Sequence, residues 1–421
     1  TMRMAHEIMP DFLNLYACFL PGTEVYTPSG PRAIETIHHE DIVLSYSSTT
    51  VVTNTLRRQY NGPIYHIKAR YLPHITATAE HPFLIAVLQR DTFNRIKVSE
   101  TRWKMAKDLH CFNSANLHDS YDAVIVPKDL LKEEATFINF SPFVRGQIGG
   151  RTKGLGPGGQ LGPKGRRYLS PWPMTEQLAE FIGWYVAEGS RGSKKLNQVV
   201  LTLSVNEIEN IKRVRFLISD CFDFKTRLII SDPEKVGRSA VINFTSKVLR
   251  RALPVICGDK AINKRVPECI MRATKPIVKA FLKGYCEGDG SINSANGQHA
   301  VGSCSQGLIK QVMLLFLKVG IVPGYSVSPA KISKPIRKGG KPIKANEFYR
   351  LSWTVASERN NYVQDDRNFY IPIEKITSES YEGPVFNLST ADETYAIPFI
   401  VHNCQTYPGS PLWDQAKKEE W

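Results

Sequence analysis

Asparagine is a poor acid and a poor base, yet the run Val401-His402-Asn403-Cys404 places one between a histidine and a cysteine. One reaction suits it: the side-chain amide nitrogen of Asn403 can attack its own backbone carbonyl, cutting the chain after residue 403. Cys404 would then begin the released segment with a nucleophilic thiol, and His402 could assist by hydrogen bonding or proton transfer. Taken alone, a loop asparagine beside a buried cysteine explains the four letters as well. A second pair of reactive groups lies far upstream. Glu188 and Asp289 each close an apolar stretch and each precede a glycine, in "EFIGWYVAEG" (180–189) and "FLKGYCEGDG" (281–290). Two carboxylates forced together repel, and one ordinarily takes up a proton. A divalent cation removes that conflict. Hard oxygen ligands suit Mg²⁺, which can generate a hydroxide and steady the leaving oxygen in phosphodiester cleavage.

The elements that must position these acids repeat. The two quoted stretches read as helices, with Gly183 over Gly284 and Glu188 over Asp289. Small residues at 183 and 284 let two helices approach closely, and glycine after each acid suits a helix C-cap. The segments beyond the two acids are also alike: a strand ("QVVLTLS", "HAVGSCS"), a helix ("NEIENIKRVRFLI", "GLIKQVMLLFLKVG") and two further strands. Each half is predicted as αββαββα, a four-stranded sheet with helices, and two such units can pack about a pseudo-twofold axis.

The rest of the chain differs in texture. Residues 18–135 and 370–403 carry short Val-, Ile-, Tyr- and Thr-rich runs such as "DIVLSY", "PIYHIKARY" and "TYAIPFIVH", punctuated by turn residues, and read as strands. Between Arg145 and Arg167 a Gly-rich, basic, acid-free stretch reads as a tether that could also touch phosphates. The 421 residues suffice for two or more cores. A net charge of +14 favours a polyanionic partner, most often nucleic acid. No apolar run approaches the ~20 residues that span a bilayer, so no membrane partner is expected. The eight cysteines form no CxxC pair, which argues against a zinc site or disulfide framework and for a reducing, cytoplasmic home. The opening "TMRMAHEIMPDF" lacks an initiator Met and suggests a segment of a longer chain.

Two resemblances join these pieces. The repeated segment, about 172–366, resembles the LAGLIDADG homing endonucleases, in which the acid ending each motif helix binds metal and the two sheets form a saddle on DNA. The resemblance implies Glu188 and Asp289 as Mg²⁺ ligands and Gln198 and Gln298 as strand residues facing the site or the bases. It further implies Lys247 as a charge-stabilising lysine, a monomer, and double-stranded DNA at the uninterrupted host gene as partner. The flanks resemble an intein: "CFLPGTEVYTPSGPRAIETIHHEDIVLSY" its start, "TATAEHPF" its T-x-x-H block with Thr78 and His81, and "VFNLSTADETYAIPFIVHNC" its end. This implies that Cys18 attacks the Ala17 carbonyl, with Thr78 and His81 holding the scissile amide and His81 protonating the departing nitrogen. Cys404 then takes over the acyl group and Asn403 cyclises. Splicing itself needs no cofactor. The sequence departs from the intein pattern at Asn387, where many have Asp, and at Glu393, where many have His. Asn387 lacks a carboxyl's proton chemistry, which implies slower splicing or another helper.

The expected fold is mixed: an all-β, horseshoe-like HINT splicing domain formed by both ends (18–136 and 367–403), interrupted by an α+β domain of two αββαββα repeats. The basic linker is expected over 137–171, the endonuclease over 172–366 with repeats near 172–256 and 270–366, and host flanks over 1–17 and 404–421. "CQTYPGSPLWDQAKKEEW" resembles a late segment of radical SAM enzymes. Two alternatives stay open: an endonuclease relic that binds DNA without cutting it, and a HINT autoprocessor that cleaves without ligating.

Overall fold

The computed structural model describes residues 17–46, 48–91, 95–112, 119–128, 130, 133–144, 171–230, 239–333, 343–354 and 362–402. The flanking segments, the tether core, Asn403 and Cys404 therefore lie outside the described residues. The chain divides into two units, one of Thr1–Leu131 with Ser357–Trp421 and one of Lys132–Ala356. Among the described residues no helix is long and apolar enough to cross a membrane.

The first unit is built from strands. A hairpin of Glu24–Thr27 and Gly30–Ala33 is followed by β1 (Ile42–Ser45), β2 (Ser48–Ala69), β3 (Ile75–Thr78), β4 (Pro82–Arg90), β5 (Ile96–Met105) and β6 (Tyr121–Pro127). β6 is buried along its whole length, which explains its apolar letters; its one charged residue, Asp122, pairs with Lys104 Nζ at 2.9 Å.

The chain then forms the second unit. A short pair, Phe137–Ile138 with Trp172–Pro173, brings both ends of the Gly-rich stretch together, so the unit begins before the expected linker rather than after it. The first repeat runs α1 (Glu176–Glu188), β7 (Gly189–Arg191), β8 (Gln198–Ser204), α2 (Ile208–Phe222), β9 (Arg227–Ile230), β10 (Ser239–Thr245) and α3 (Lys247–Ile256). The second runs α4 (Lys275–Asp289), β11 (Gly290–Asn293), β12 (Gln298–Ser303), α5 (Gln306–Lys318), β13 (Gly324–Ser328) and β14 (Phe348–Thr354), with a hairpin of Lys331–Ser333 and Ile343–Ala345 inserted before β14. The closing helix predicted for the second repeat falls outside the described residues. The sheets have matching orders, β7-β8-β10-β9 and β11-β12-β14-β13.

Two glycines decide how α1 and α4 meet. A Cβ at Gly183 would stand 2.2 Å from Phe281 O, and one at Gly284 would stand 2.2 Å from Glu180 O. The helix backbones thus touch at this pair, as the sequence predicted. The glycines after the acids are the helix C-caps, as expected. Gly189 (φ −80°) and Gly290 (φ −87°) have extended backbones. They are glycine because a Cβ at 189 would meet the Tyr185 ring at 2.3 Å, and one at 290 would meet Cys286 O at 1.9 Å.

Past residue 357 the chain returns to the first unit as Val363–Gln364, β15 (Asn368–Thr390), β16 (Thr394–Ala396) and β17 (Ile400–His402). They complete a 10-stranded sheet of order β16-β17-β4-β6-β15-β2-β1, with β3 beside β2 and β5 beside β4. β15 and β2 pair antiparallel along most of their length, with Tyr381 opposite Gly62 and Gly383 opposite Tyr60. This register exposes a second repeat, "YNGP" against "YEGP". Tyr60 OH donates to Pro63 O at 2.8 Å and Tyr381 OH donates to Pro384 O at 3.1 Å. Each glycine leaves room for the tyrosine hydroxyl beside it.

The helix contact yields a stability prediction. Gly183→Ala or Gly284→Ala should each lower the unfolding midpoint, by an amount equivalent to about 1–3 kcal/mol of overpacking. Gly307→Ala in α5, where a Cβ meets nothing within 4 Å, should raise it slightly. Differential scanning calorimetry of the three variants checks the opposite signs.

Candidate functional site

In the first unit the chain is described from Ala17, which is buried. Phe19 bridges both Ala77 and Phe386. Its N–H donates to Phe386 O and its carbonyl accepts from Phe386 N, both at 2.8 Å. This clamp between β3 and β15 fixes the Ala17–Cys18 peptide. Cys18 N–H donates to Thr78 Oγ1 at 2.9 Å, and the Thr78 hydroxyl donates to Cys18 O at 3.3 Å. Thr78 N–H donates to the same carbonyl at 3.0 Å. On the other side of the peptide, Asn387 Nδ2 donates to the Ala17 carbonyl.

His81, three residues past Thr78, is fully buried, its ring 4.0 Å from that of Phe19 and 5.1 Å from that of Phe83. Burial pushes its imidazole down to about 3, His402 adds to that fall, and the Ala17 carbonyl opposes it. The carbonyl is near enough to act on the ring, but neither ring nitrogen completes a hydrogen bond among the described residues. His81 is therefore neutral near pH 7, a different resting state from the ready proton donor the sequence suggested. His402 ends β17 opposite Thr394, half-buried, with its ring edge-on to Trp103 at 5.0 Å. Asn403 and Cys404 lie beyond the described residues. Cys18, Thr78, His81 and Asn387 thus converge on one peptide bond.

In the second unit α1 ends on Glu188 and α4 on Asp289. Thr175 Oγ1 starts α1 by accepting from Leu178 N. Both acids line a cavity of about 640 Å³, together with Lys264, Arg191 and Asp259. Burial pushes the Glu188 carboxyl up to about 7, Asp289 and Glu207 add to the rise, and Lys264 opposes it. Burial also raises Asp289, again against Lys264. The Asp289 side chain is exposed to solvent.

The lysine at this site is Lys264, not Lys247. Lys247 is exposed in the first turn of α3 and does not line the cavity. Lys264 Nζ donates to Tyr185 O and Gly189 O, both at 2.8 Å, and lies 4.7 Å from the Tyr185 ring centroid. It thereby caps the carbonyl end of α1, where a cation is favoured. Burial lowers its ammonium, and both acids pull it back up. Sequence reasoning missed it because "AINKRVP" has no repeat partner; only the fold brings it to the acids.

Gln198 and Gln298 begin β8 and β12 at equivalent registers, opposite Thr245 and Thr354. Along β8 buried and half-buried residues alternate strictly, so Gln198 shares the more open face with Val200, Thr202 and Ser204. Among the described residues no cluster of three or more His, Cys, Asp or Glu side chains is placed to hold a metal ion. Two carboxylates with raised affinity for protons nevertheless fit a hard cation that retains several waters, which is how Mg²⁺ is commonly bound.

Residues 276–341 match the LAGLIDADG-like domain family, so such a domain is present in the second unit. Over 416 residues the chain is 24% identical to "ATP-dependent DNA helicase Hel308" of Thermococcus kodakarensis, covering 92% of this chain and 36% of that protein. It is 22% identical over 402 residues to an "Iron-sulfur cluster assembly SufBD family protein" of Mycobacterium tuberculosis, covering 92% and 43%. The chain thus spans less than half the length of these curated relatives. Among solved structures it is similar to the homing endonuclease I-WcaI bound to its DNA recognition sequence, at 10% identity and TM-score 0.30 over 47% of this chain and 84% of that one.

The acid pair sets a signed prediction. Because the folded Glu188 carboxyl titrates above its ordinary 4.5, the folded unit binds more protons than the unfolded chain between about pH 4.5 and 7. Stability in EDTA should therefore fall as pH rises through that window. Glu188→Gln should raise the pH 8 unfolding midpoint by ~2–4 °C, and Asp289→Asn should raise it less. Adding Mg²⁺ or Mn²⁺ should stabilise the parent and leave both variants unmoved, as read by thermal denaturation.

Proposed function

We propose that this chain is a bifunctional intein, whose first unit splices itself out of a host protein and whose second unit cuts double-stranded DNA. The observation that carries the splicing reading is the Ala17–Cys18 peptide, buried and hydrogen-bonded to Thr78 beside a neutral His81. Cys18 is the one nucleophile attached to that peptide. Its thiol adds to the Ala17 carbonyl, giving a thioester that Cys404 attacks in turn, and Asn403 cyclises to release the segment 18–403. A neutral imidazole at His81 suits a relay: it can accept the thiol proton and return one to the Cys18 nitrogen. A reducing cytoplasm would keep both thiols free. The relatives support the same reading. Names as unlike as a helicase and an iron-sulfur assembly protein share a segment covering 92% of this chain but a minority of their own lengths. A module carried by unrelated hosts has that signature. On this reading residues 1–17 and 404–421 belong to the host, which resembles a radical SAM enzyme.

For the second unit the LAGLIDADG-like match and the paired acids support site-specific DNA cleavage. Glu188 and Asp289 would hold Mg²⁺, which when bound supplies a hydroxide and offsets charge on the scissile phosphate. Lys264 holds the end of α1 and sets a positive charge beside the acids. The half-open faces carrying Gln198 and Gln298 would meet the bases. Two repeats in one chain supply both half-sites, so a monomer suffices, and the net charge of +14 favours the phosphate backbone.

Mass spectrometry of freshly purified chain under reducing conditions tests splicing. The expected products are the 18–403 segment and the 1–17 segment joined to 404–421. Cleavage without joining would indicate an autoprocessor instead. Asn403→Ala should stop C-terminal cleavage and preserve thiol-induced N-terminal cleavage; a normal ligated product from it contradicts the scheme. A duplex spanning the codons of the joined host junction should be cut in Mg²⁺, whereas Glu188→Gln and Asp289→Asn should bind it uncut. Wild-type binding without cutting would identify a relic.

A further inference from the structure

The geometry points to Asn387 as a catalytic residue that stabilises the oxyanion formed at Ala17, with Tyr395 as the residue that positions it; this rests on the splicing reading of Cys18. Asn387 is 1% exposed, and its Nδ2 donates to the Ala17 carbonyl oxygen. Its Oδ1 accepts from Leu388 N at 2.7 Å and from Tyr395 OH at 2.6 Å. The orientation of the amide follows from chemistry alone. A backbone N–H can only donate and a backbone carbonyl can only accept, so Oδ1 must face Leu388 and Nδ2 must face Ala17. Tyr395 is fully buried and locks that choice. The Phe19–Phe386 clamp places residue 387 opposite this carbonyl, because it fixes the register of the two segments one residue away.

The donor already points at the atom on which charge develops. When Cys18 Sγ bonds to the Ala17 carbonyl carbon, the C=O π pair moves onto oxygen, where the Asn387 N–H strengthens its hold. On collapse the C–N bond breaks, and the Cys18 nitrogen takes up the proton the thiol gave away. The step is an isomerisation that needs no co-reactant. A preorganised donor in a dry site contributes most at that moment. An amide keeps its donor at every pH, whereas a carboxyl at this position donates only while protonated. The departure from the intein pattern at Asn387 is therefore a change of role, from a group with proton chemistry to a fixed hydrogen-bond donor.

The test uses the full chain with Asn403→Ala, so that only thiol-dependent release of the 1–17 fragment is read, from pH 6 to 8.5. The parent should release it and Cys18→Ala should not; a silent parent overturns the splicing reading itself. If the parent is active, N387A should slow release by ~10²-fold, the usual effect of losing one oxyanion donor. N387D should be at least about tenfold slower than the parent at pH 8, with the gap narrowing as pH falls and its carboxyl takes up a proton. Y395F should slow release several-fold alone and add nothing to N387A. C-terminal cleavage in a Cys18→Ala chain that retains Asn403 should be unchanged by all three substitutions, which separates chemistry from misfolding. N387D releasing as fast as the parent at pH 8, or N387A at the parental rate, overturns the inference.

Discussion

The exchange of two backbone hydrogen bonds between Phe19 and Phe386 joins segments from the two ends of the chain and sets everything around the Ala17–Cys18 peptide. A one-residue slip would flip the side chains on one side of that contact to the opposite face. Asn387 would then lose Ala17, and Thr78 would no longer meet Cys18 through the neighbouring β3. The long pairing of β15 with β2 makes such a slip costly, since Tyr60 and Tyr381 each lock a Gly-Pro corner in that ladder. Folding of the two ends and positioning of the peptide are thus one event.

The second unit depends on a different constraint, the bare contact of two helix backbones at Gly183 and Gly284. Because no side chain separates them there, the acids that end α1 and α4 must approach each other at the mouth of one cavity. Partial burial raises both carboxyls, and the Asp289 charge adds to the rise at Glu188. Lys264 offsets part of that cost while bonding the last carbonyls of α1.

Much of this was legible in the sequence wherever a signal was local or repeated. The paired helix-acid-glycine runs predicted α1 and α4 to their last residues, and the strand and helix order of the first repeat came from periodicity. The resemblance of "TATAEHPF" to an intein block implied that Thr78 and His81 lie beside the Ala17–Cys18 peptide, where Thr78 bonds Cys18. What failed was information carried only by the fold. Lys264 sits in a loop without a repeat partner, so the end of a strand suggested Lys247 instead. Gly189 and Gly290 are the expected C-caps, but the reason only glycine fits there, the close approach of their own helices, is visible only in the fold. Asn387 read as a lost carboxyl because its partners, Ala17 and Tyr395, are 370 and 8 residues away. The "YNGP" and "YEGP" corners became a repeat only once their strands were seen to pair.

On the proposed splicing chemistry, the buried Ala17–Cys18 peptide is the bond that reacts. Hydroxylamine tests it most directly, since it traps a thioester and leaves ordinary amides intact under mild conditions. Added to the Asn403→Ala chain, it should release an N-terminal fragment ending in a hydroxamate at Ala17, identified by its mass, and should release none from the Cys18→Ala chain. An unmodified Ala17–Cys18 bond in the treated chain, or a fragment ending at any other residue, would contradict the account.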